Sequence, residues 1–465
     1  MARRRVLAGF GVGMGLGWVP TGAAAPAGPA SAPPASAQTT RVPTLSVAPM
    51  PLRQRRLANG LQVVSVPSAL AAMVSVQVWY RVGGKDDPPG RSGFAHLFEH
   101  MMFKRTRHMA NEMFDRLTED VGGQNNAFTA EDMTVYQNEV PSNHLERLLW
   151  AEAERMANLQ VDQVNFDSER KVVLEELRER VLADPYGRLF NALPQQGFAL
   201  HPYRHPVIGN EQDLMAATLD DVQRFHATYY RPDNAVLIVV GDFDPPQLDA
   251  WVDRHFDPLV APATPVPRVN IREPRRSAAR QLTLTAPNVP LPAVALLWQG
   301  PPASHADAPA LQVAQAMLSN GDSSRLNEAL VYRQQSAQAA GFSADLYADA
   351  GLLLAYAIAA SGQSLNRLAG RLRAEIQRLA TAPVPEAELD KVRTQLLTST
   401  LLGRQTAQGQ ADAIGRAVLL HGDARAADRH VARLQAVSAD DVQHVLRRHV
   451  LGAPAVTVNY QQAPA

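Results

Sequence analysis

His96, Glu99 and His100 are the residues of this chain best placed to do chemistry. In a helix, side chains four apart lie one above the other, so imidazoles at this spacing can aim at a single point. A carboxylate three residues after the first projects from the same face. Neutral imidazoles suit zinc, and a carboxylate beside the metal suits taking a proton from water. The order H-x-x-E-H inverts the commoner H-E-x-x-H. On its own the pattern is a weak signal, because three fixed letters recur by chance.

Catalytic zinc usually takes three protein ligands and leaves a fourth position open. The helix-forming run from Asp167 to Arg180 offers Glu169, Glu175 and Glu176, with Asp167 or Ser168 reading as its N-cap. Glu169 and Glu176 are two turns apart and share a face, with Val172 and Val173 between them. Carboxylates in such a run are ordinarily solvated charge, and spacing alone leaves Glu175 and Glu176 both open as a ligand.

The stretch Gly93 to Lys104, reading GFAHLFEHMMFK, resembles the signature of the pitrilysin (insulinase) family of zinc metallopeptidases, the inverzincins. The layout is most similar to its short-subunit subgroup, which includes the mitochondrial processing peptidase and bacterial periplasmic relatives. Further segments match in order: Gly122-Gly123 through Asn126-Ala127-Phe128-Thr129 with Asp132 and Tyr136, then Glu169-Arg170 to Glu175-Glu176, then His201-Pro202-Tyr203 to Val207-Ile208-Gly209. The resemblance implies one zinc ion per chain, held by His96, His100 and Glu176, with Glu99 as general base. It favours Glu176 over Glu175, and it makes Glu169 a carboxylate that supports the site from behind a ligand. It also implies that Asn126, Ala127, Phe128 and Thr129 form an exposed strand edge to which a peptide substrate adds. For Asn126 the plain alternative is an ordinary turn residue.

The chain repeats itself once. Thr218-Leu219-Asp220-Asp221-Val222-Gln223 returns as Ser438-Ala439-Asp440-Asp441-Val442-Gln443, and Val74 to Trp79 is echoed by Ala293 to Trp298. Near-equal offsets at opposite ends of the unit argue for a duplicated domain. Strand-like alternation and helical periodicity both recur in each copy, which predicts an α+β fold of two homologous domains, each a mostly antiparallel sheet with helices packed on it. The expected boundaries are a metal-binding domain over 51–257, a proline-marked linker over 258–275, and a degenerate copy over 276–461. Moving His96, Glu99 and His100 forward by the repeat offset lands on Gln315, Leu318 and Ser319, so the first copy carries the chemistry.

Composition narrows the setting. Among 465 residues, Lys+Arg and Asp+Glu both total 45, so no net field favours nucleic acid or an anionic membrane. The absence of cysteine rules out disulfides, thiolate metal sites and a lipidated cysteine anchor. Ala2-Arg3-Arg4-Arg5 precedes a glycine-broken apolar stretch and then small residues, which reads as a cleavable signal peptide over 1–25. Residues 26–50, rich in Pro, Ala and Ser, read as a disordered tether. The expectation is an exported protein, periplasmic or secreted, without a stable membrane anchor.

One departure bears on partners. Members of the family usually carry, in the second copy, an Arg and a Tyr seven apart that bind substrate; here Val331 and Gln338 stand at those places, with Arg325, Tyr332 and Arg333 nearby. Either a local shift supplies substitutes, or a partner provides the missing pair, and the resemblance implies that such a partner is a homologous zinc-free subunit or a second copy of this chain. The function expected is a zinc-dependent endopeptidase acting on peptides or unfolded segments as the zinc-bearing subunit of a dimer. The alternative is a non-catalytic scaffold or peptide-binding subunit of the same fold.

Overall fold

The computed structural model describes residues 45–464. The expected signal peptide, and the tether as far as residue 44, lie outside the described residues. The last residues of that stretch are fastened: Leu45 N–H donates to Gln435 Oε1 at 2.7 Å and Met50 N–H to Asp428 Oδ1 at 3.0 Å.

Two sheets organise the chain. The first contains β1 (Arg53–Arg56), β2 (Gln62–Pro67), β3 (Met73–Tyr80), β4 (Gln124–Thr129), β5 (Thr134–Pro141) and β6 (Ala235–Gly241), in the order β1-β2-β6-β3-β5-β4. The second contains β7 (Arg280–Ala286), β8 (Ala293–Gly300), β9 (Ala337–Leu346), β10 (Gly351–Ala359) and β11 (Val456–Gln462), in the order β7-β11-β8-β10-β9. Past β1 the orders are the same. Each has one parallel pair, β2 with β6 and β7 with β11, followed by antiparallel neighbours. The repeated motif also folds alike: Thr218 and Ser438 each cap a helix, accepting from Asp221 N–H and Asp441 N–H in reciprocal boxes.

Alternation explains how the first sheet is covered. Val74, Val76, Val78 and Tyr80 of β3 face the core shared with the helices of the first half. Trp79 and Phe128 face the other way, into a core shared with Ala411, Ile414 and Val418. Those residues belong to a helix of the second half, Ala407–His421, which lies across the back of the first sheet. Gly415 on that helix meets the Trp79 indole so closely that an added methyl would overlap it. Both faces of β6 are thus covered, which is why that strand is buried and apolar throughout.

The halves also meet at the tips of their edge hairpins. Lys85 Nζ lies 2.8 Å from Asp132 in the β4–β5 turn and 2.8 Å from Asp349 in the β9–β10 turn. Tyr203 O–H donates to Asp132 at 2.5 Å, and Ala348 N–H to Asp132 at 2.8 Å. Between the helix ending at Phe256 and β7, residues 257–279 carry neither helix nor strand. Glu273 of this stretch accepts from the backbone N–H groups of Ala199, Leu200 and His201.

Candidate metal centre

The helix Phe94–Met101 is buried along its whole length, so it is apolar all round apart from His96, Glu99 and His100. Its first turn is fixed by Asp87, whose carboxylate accepts from Gly93 N–H at 2.7 Å and Ala95 N–H at 2.9 Å. Gly93 (φ 94°) and Gly209 (φ 76°) pass so closely that a side chain at Gly209 would strike the Ser92 carbonyl. The segment matching the family's distal turn therefore seats the start of this helix.

Beside it runs the helix Gln163–Leu177, capped by Asp162, which accepts from Asn165 N–H. The expected cap at Asp167 or Ser168 is corrected: both lie inside the helix, because Asp162 offers a carboxylate one turn earlier. Val173 is buried against the core while Val172 is exposed, which turns Glu169 and Glu176 toward the two histidines. Glu175 points outward and pairs with Arg178 at 3.4 Å.

His96, His100 and Glu176 present ligand atoms that all lie within 4.8 Å of one another. Glu176 Oε2 is 3.5 Å from His96 Nε2 and 3.4 Å from His100 Nε2, and the imidazole planes stand at 86°. Both Nε2 atoms are buried without a hydrogen-bond partner. Two orphaned imidazole nitrogens aimed at one carboxylate oxygen fit a cation between them.

Surrounding groups hold these side chains in place. Glu169 Oε2 lies 3.6 Å from His100 Nδ1, and Lys104 Nζ pairs with Glu169 Oε1 at 2.5 Å. Arg180 Nη1 lies 2.9 Å from Glu176 Oε1, which leaves Oε2 for the imidazoles. Glu99 is buried beside them, and Thr129 Oγ1 donates to its Oε2 at 2.6 Å. Tyr136 O–H donates to the Phe98 carbonyl at 3.3 Å, tying the helix to β5.

The charges are unbalanced. Burial pushes Glu99 up to about 7, against the pull of His100 and the Thr129 hydrogen bond. Burial, with the neighbouring His100, drives His96 down to about 3. Burial would depress His100 as well, but Glu169 and Glu176 overcome it and raise it to about 9. Burial opposes the ionisation of Glu169 and Glu176, yet their partners hold both below the usual carboxylate range. Carboxylates crowded around two imidazoles attract positive charge, whether a proton or a metal ion.

Among the described residues the strand β4 forms the sheet's edge and pairs only with β5, so no described strand covers its other side. Asn126 lies within this strand, not in a turn, and its Oδ1 accepts from Ala127 N–H. Ala127, Phe128 and Thr129 are buried; Thr129 spends its hydroxyl on Glu99 and Phe128 packs on Trp79. In the second half, Val331 packs against the core and Gln338 is exposed on β9. Arg325 is engaged by Glu388 at 2.8 and 2.7 Å, Tyr332 is exposed, and Arg333 lies 3.6 Å from Glu328. Asp87, Thr129 as partner of Glu99, and Arg180 as partner of Glu176 escaped sequence reasoning; all act across turns or between elements.

The chain is similar to known proteins along most of its length. The insulinase (peptidase family M16) model matches residues 62–211, and the peptidase M16 inactive-domain model matches 216–396. Zinc protease PqqE of Helicobacter pylori is 33% identical over 340 residues, covering 72% of this chain and 76% of that protein. A probable mitochondrial-processing peptidase subunit beta of Arabidopsis thaliana is 26% identical over 407 residues, covering 86% of this chain and 76% of that protein. The crystal structure of a protease from Helicobacter pylori superposes with TM-score 0.85 at 29% identity, covering 89% of this chain and 100% of that one. The mixed helices and two mostly antiparallel sheets match the two-domain fold of that solved structure. The chain belongs to the insulinase family, peptidase family M16.

Proposed function

We propose that this chain is a zinc-dependent endopeptidase hydrolysing peptides or unfolded segments, exported to the periplasm or beyond, and the metal-bearing subunit of a dimer. The observation that carries the reading is the convergence of two unpartnered, buried imidazole nitrogens on one Glu176 oxygen, beside the buried carboxylate of Glu99. His96, His100 and Glu176 would hold one zinc ion per chain. Zinc bound there supplies Lewis acidity, polarising the scissile carbonyl and lowering the pKa of water to about 7. Glu99 takes the proton from the attacking water and returns it to the leaving nitrogen. Thr129 aims that carboxylate, and Glu169 orients the His100 ring through Nδ1. Asn126 to Thr129 offer the substrate an open edge of backbone, a mode that reads main chain more than side chains.

The partner would supply the substrate contacts that Val331 and Gln338 cannot make. A second reading, a scaffold or peptide-binding subunit without turnover, is favoured by the engagement of Arg325 with Glu388. Zinc content and cleavage of a quenched peptide decide between them, measured with and without chelator, alone and mixed with a zinc-free homologous chain. One zinc and chelator-sensitive cleavage that rises in the mixture support the proposal. Zinc without cleavage in any pairing supports the second reading, and full activity of the isolated chain removes the need for a partner.

A further inference from the structure

Each half covers the back of the other's sheet with one of its helices. Ala407–His421 of the second half lies behind the first sheet, and Gly187–Gly197 of the first half lies behind the second. Leu189 and Leu193 of that helix are buried with Ala295 and Leu297 of β8 and Val458 of β11, on the face opposite Trp298. The Phe190 ring meets Tyr356 of β10 edge-on at 5.3 Å. Leu352 crowds Gly197 so closely that a methyl there would overlap it. The ends of the helix are tied as well. Tyr460 O–H donates to the Pro185 carbonyl at 2.8 Å, Tyr186 O–H to the Leu291 carbonyl at 3.0 Å, and Arg276 Nη2 to the Gly197 carbonyl at 2.7 Å.

The same helix continues the one that carries Glu176. Gln163–Leu177 runs without a break into a wider, π-type turn, Arg178–Ala183, and Gly187–Gly197 begins after Asp184, Pro185 and Tyr186. Turns of this kind next to α-helix recur at functional sites. This one carries Arg180, whose Nη1 lies 2.9 Å from Glu176 Oε1. Gly187 packs against the turn itself: a side chain there would strike the Arg180 and Val181 carbonyls. Val181 is in turn buried with Leu177 and Ile208, and Gly209, the next residue, seats Gly93 at the start of the histidine helix. The turn is thus clamped between the segment that seats the histidines and the helix that the second half holds. Successive helical side chains rotate by about 100°, so a small slip of this turn would carry the Glu176 carboxylate off the two imidazoles.

We propose that the second half positions the third ligand: docking of Gly187–Gly197 on the second sheet fixes the turn Arg178–Ala183 and so sets Glu176 against His96 and His100. The half without ligands of its own is then part of the metal centre. The inference rests on the metal assignment of the reading above and deepens it. Zinc affinity and the grip of the second half on this helix strengthen each other by the same factor.

The test uses the full chain and reads zinc itself, by competition with a chromophoric chelator well below each variant's melting temperature. Phe190→Ala, which empties the contact with Tyr356, should weaken zinc about tenfold, an ordinary coupling between sites. Tyr460→Phe, which removes only the hydrogen bond to the Pro185 carbonyl, should weaken it about threefold. Gly415→Ala loosens the other covering helix, which leads to no ligand, and should leave affinity within about twofold. The proposal is overturned if Phe190→Ala lowers the melting temperature yet holds zinc like the unsubstituted chain, or if Gly415→Ala loses as much. Hydrogen exchange on the unsubstituted chain, with and without zinc, needs no variant to fold. Loading should slow the amides of Gly187–Gly197 together with those of Gln163–Leu177 and leave Ala407–His421 as it was. Slowing confined to Gln163–Leu177, or equal in both covering helices, overturns the proposal. A chain that takes up no zinc overturns the metal assignment and this inference with it; zinc held equally well by every variant overturns this inference alone.

Discussion

Thr129 Oγ1 donates to Glu99 Oε2 at 2.6 Å, linking the edge strand of the first sheet to the carboxylate beside the paired histidines. One hydroxyl thus couples the surface where a peptide would lie to the group that would take the water's proton. Thr129→Val, nearly isosteric, should lower kcat about tenfold or more with little change in zinc content or KM, and Thr129→Ser should restore most of the loss. Glu99→Gln should keep the metal and lose at least about a hundredfold in kcat, the usual contribution of a general base. Zinc analysis beside steady-state kinetics checks both; substantial turnover by Glu99→Gln would show that the base lies elsewhere.

Glu169 touches His100 on the side away from Glu176, so its role should appear in affinity before rate. Glu169→Gln should weaken zinc binding by about 10–100-fold while leaving the fold intact. Competition against a chromophoric chelator measures this, and an unchanged affinity would make Glu169 only a partner for Lys104.

His226 gives the fold an acid sensitivity. Its ring stacks on Phe98 at 5.4 Å and Tyr230 at 5.7 Å, its Nε2 is enclosed without a partner, and burial lowers it from about 6.5 to about 4. Since the folded pKa is the lower one, its contribution is complete above pH 6.5 and is lost as pH falls toward 4, because the unfolded chain gains the proton first. The loss is at most about 3 kcal/mol. Urea melts at pH 7 and pH 5 should differ less for His226→Phe than for the unsubstituted chain.

Gly415→Ala should destabilise by about 1–3 kcal/mol, since the added methyl overlaps the Trp79 indole where the two halves pack. Thermal melts measure the loss. A neutral substitution would mean that the helix Ala407–His421 can slide on the first sheet.

How much was legible followed from distance along the chain. The H-x-x-E-H face was readable because helical periodicity alone puts its letters together, and the duplication because strand and capping motifs returned at one offset. The choice between Glu175 and Glu176 was not, because it depends on which face of Gln163–Leu177 meets the neighbouring helix; burial of Val173 decides it. The true cap, Asp162, was hidden by equally suitable residues one turn later. Thr129 was read as part of a substrate edge, but nothing local says that its hydroxyl crosses to a residue thirty positions earlier.

Lys85, Asp132, Tyr203 and Asp349 join the two halves where their edge hairpins turn. Swinging the halves apart there would part the half-buried ammonium of Lys85 from the carboxylates of Asp132 and Asp349. Opening the two halves at this point therefore costs more than flexing a loop would.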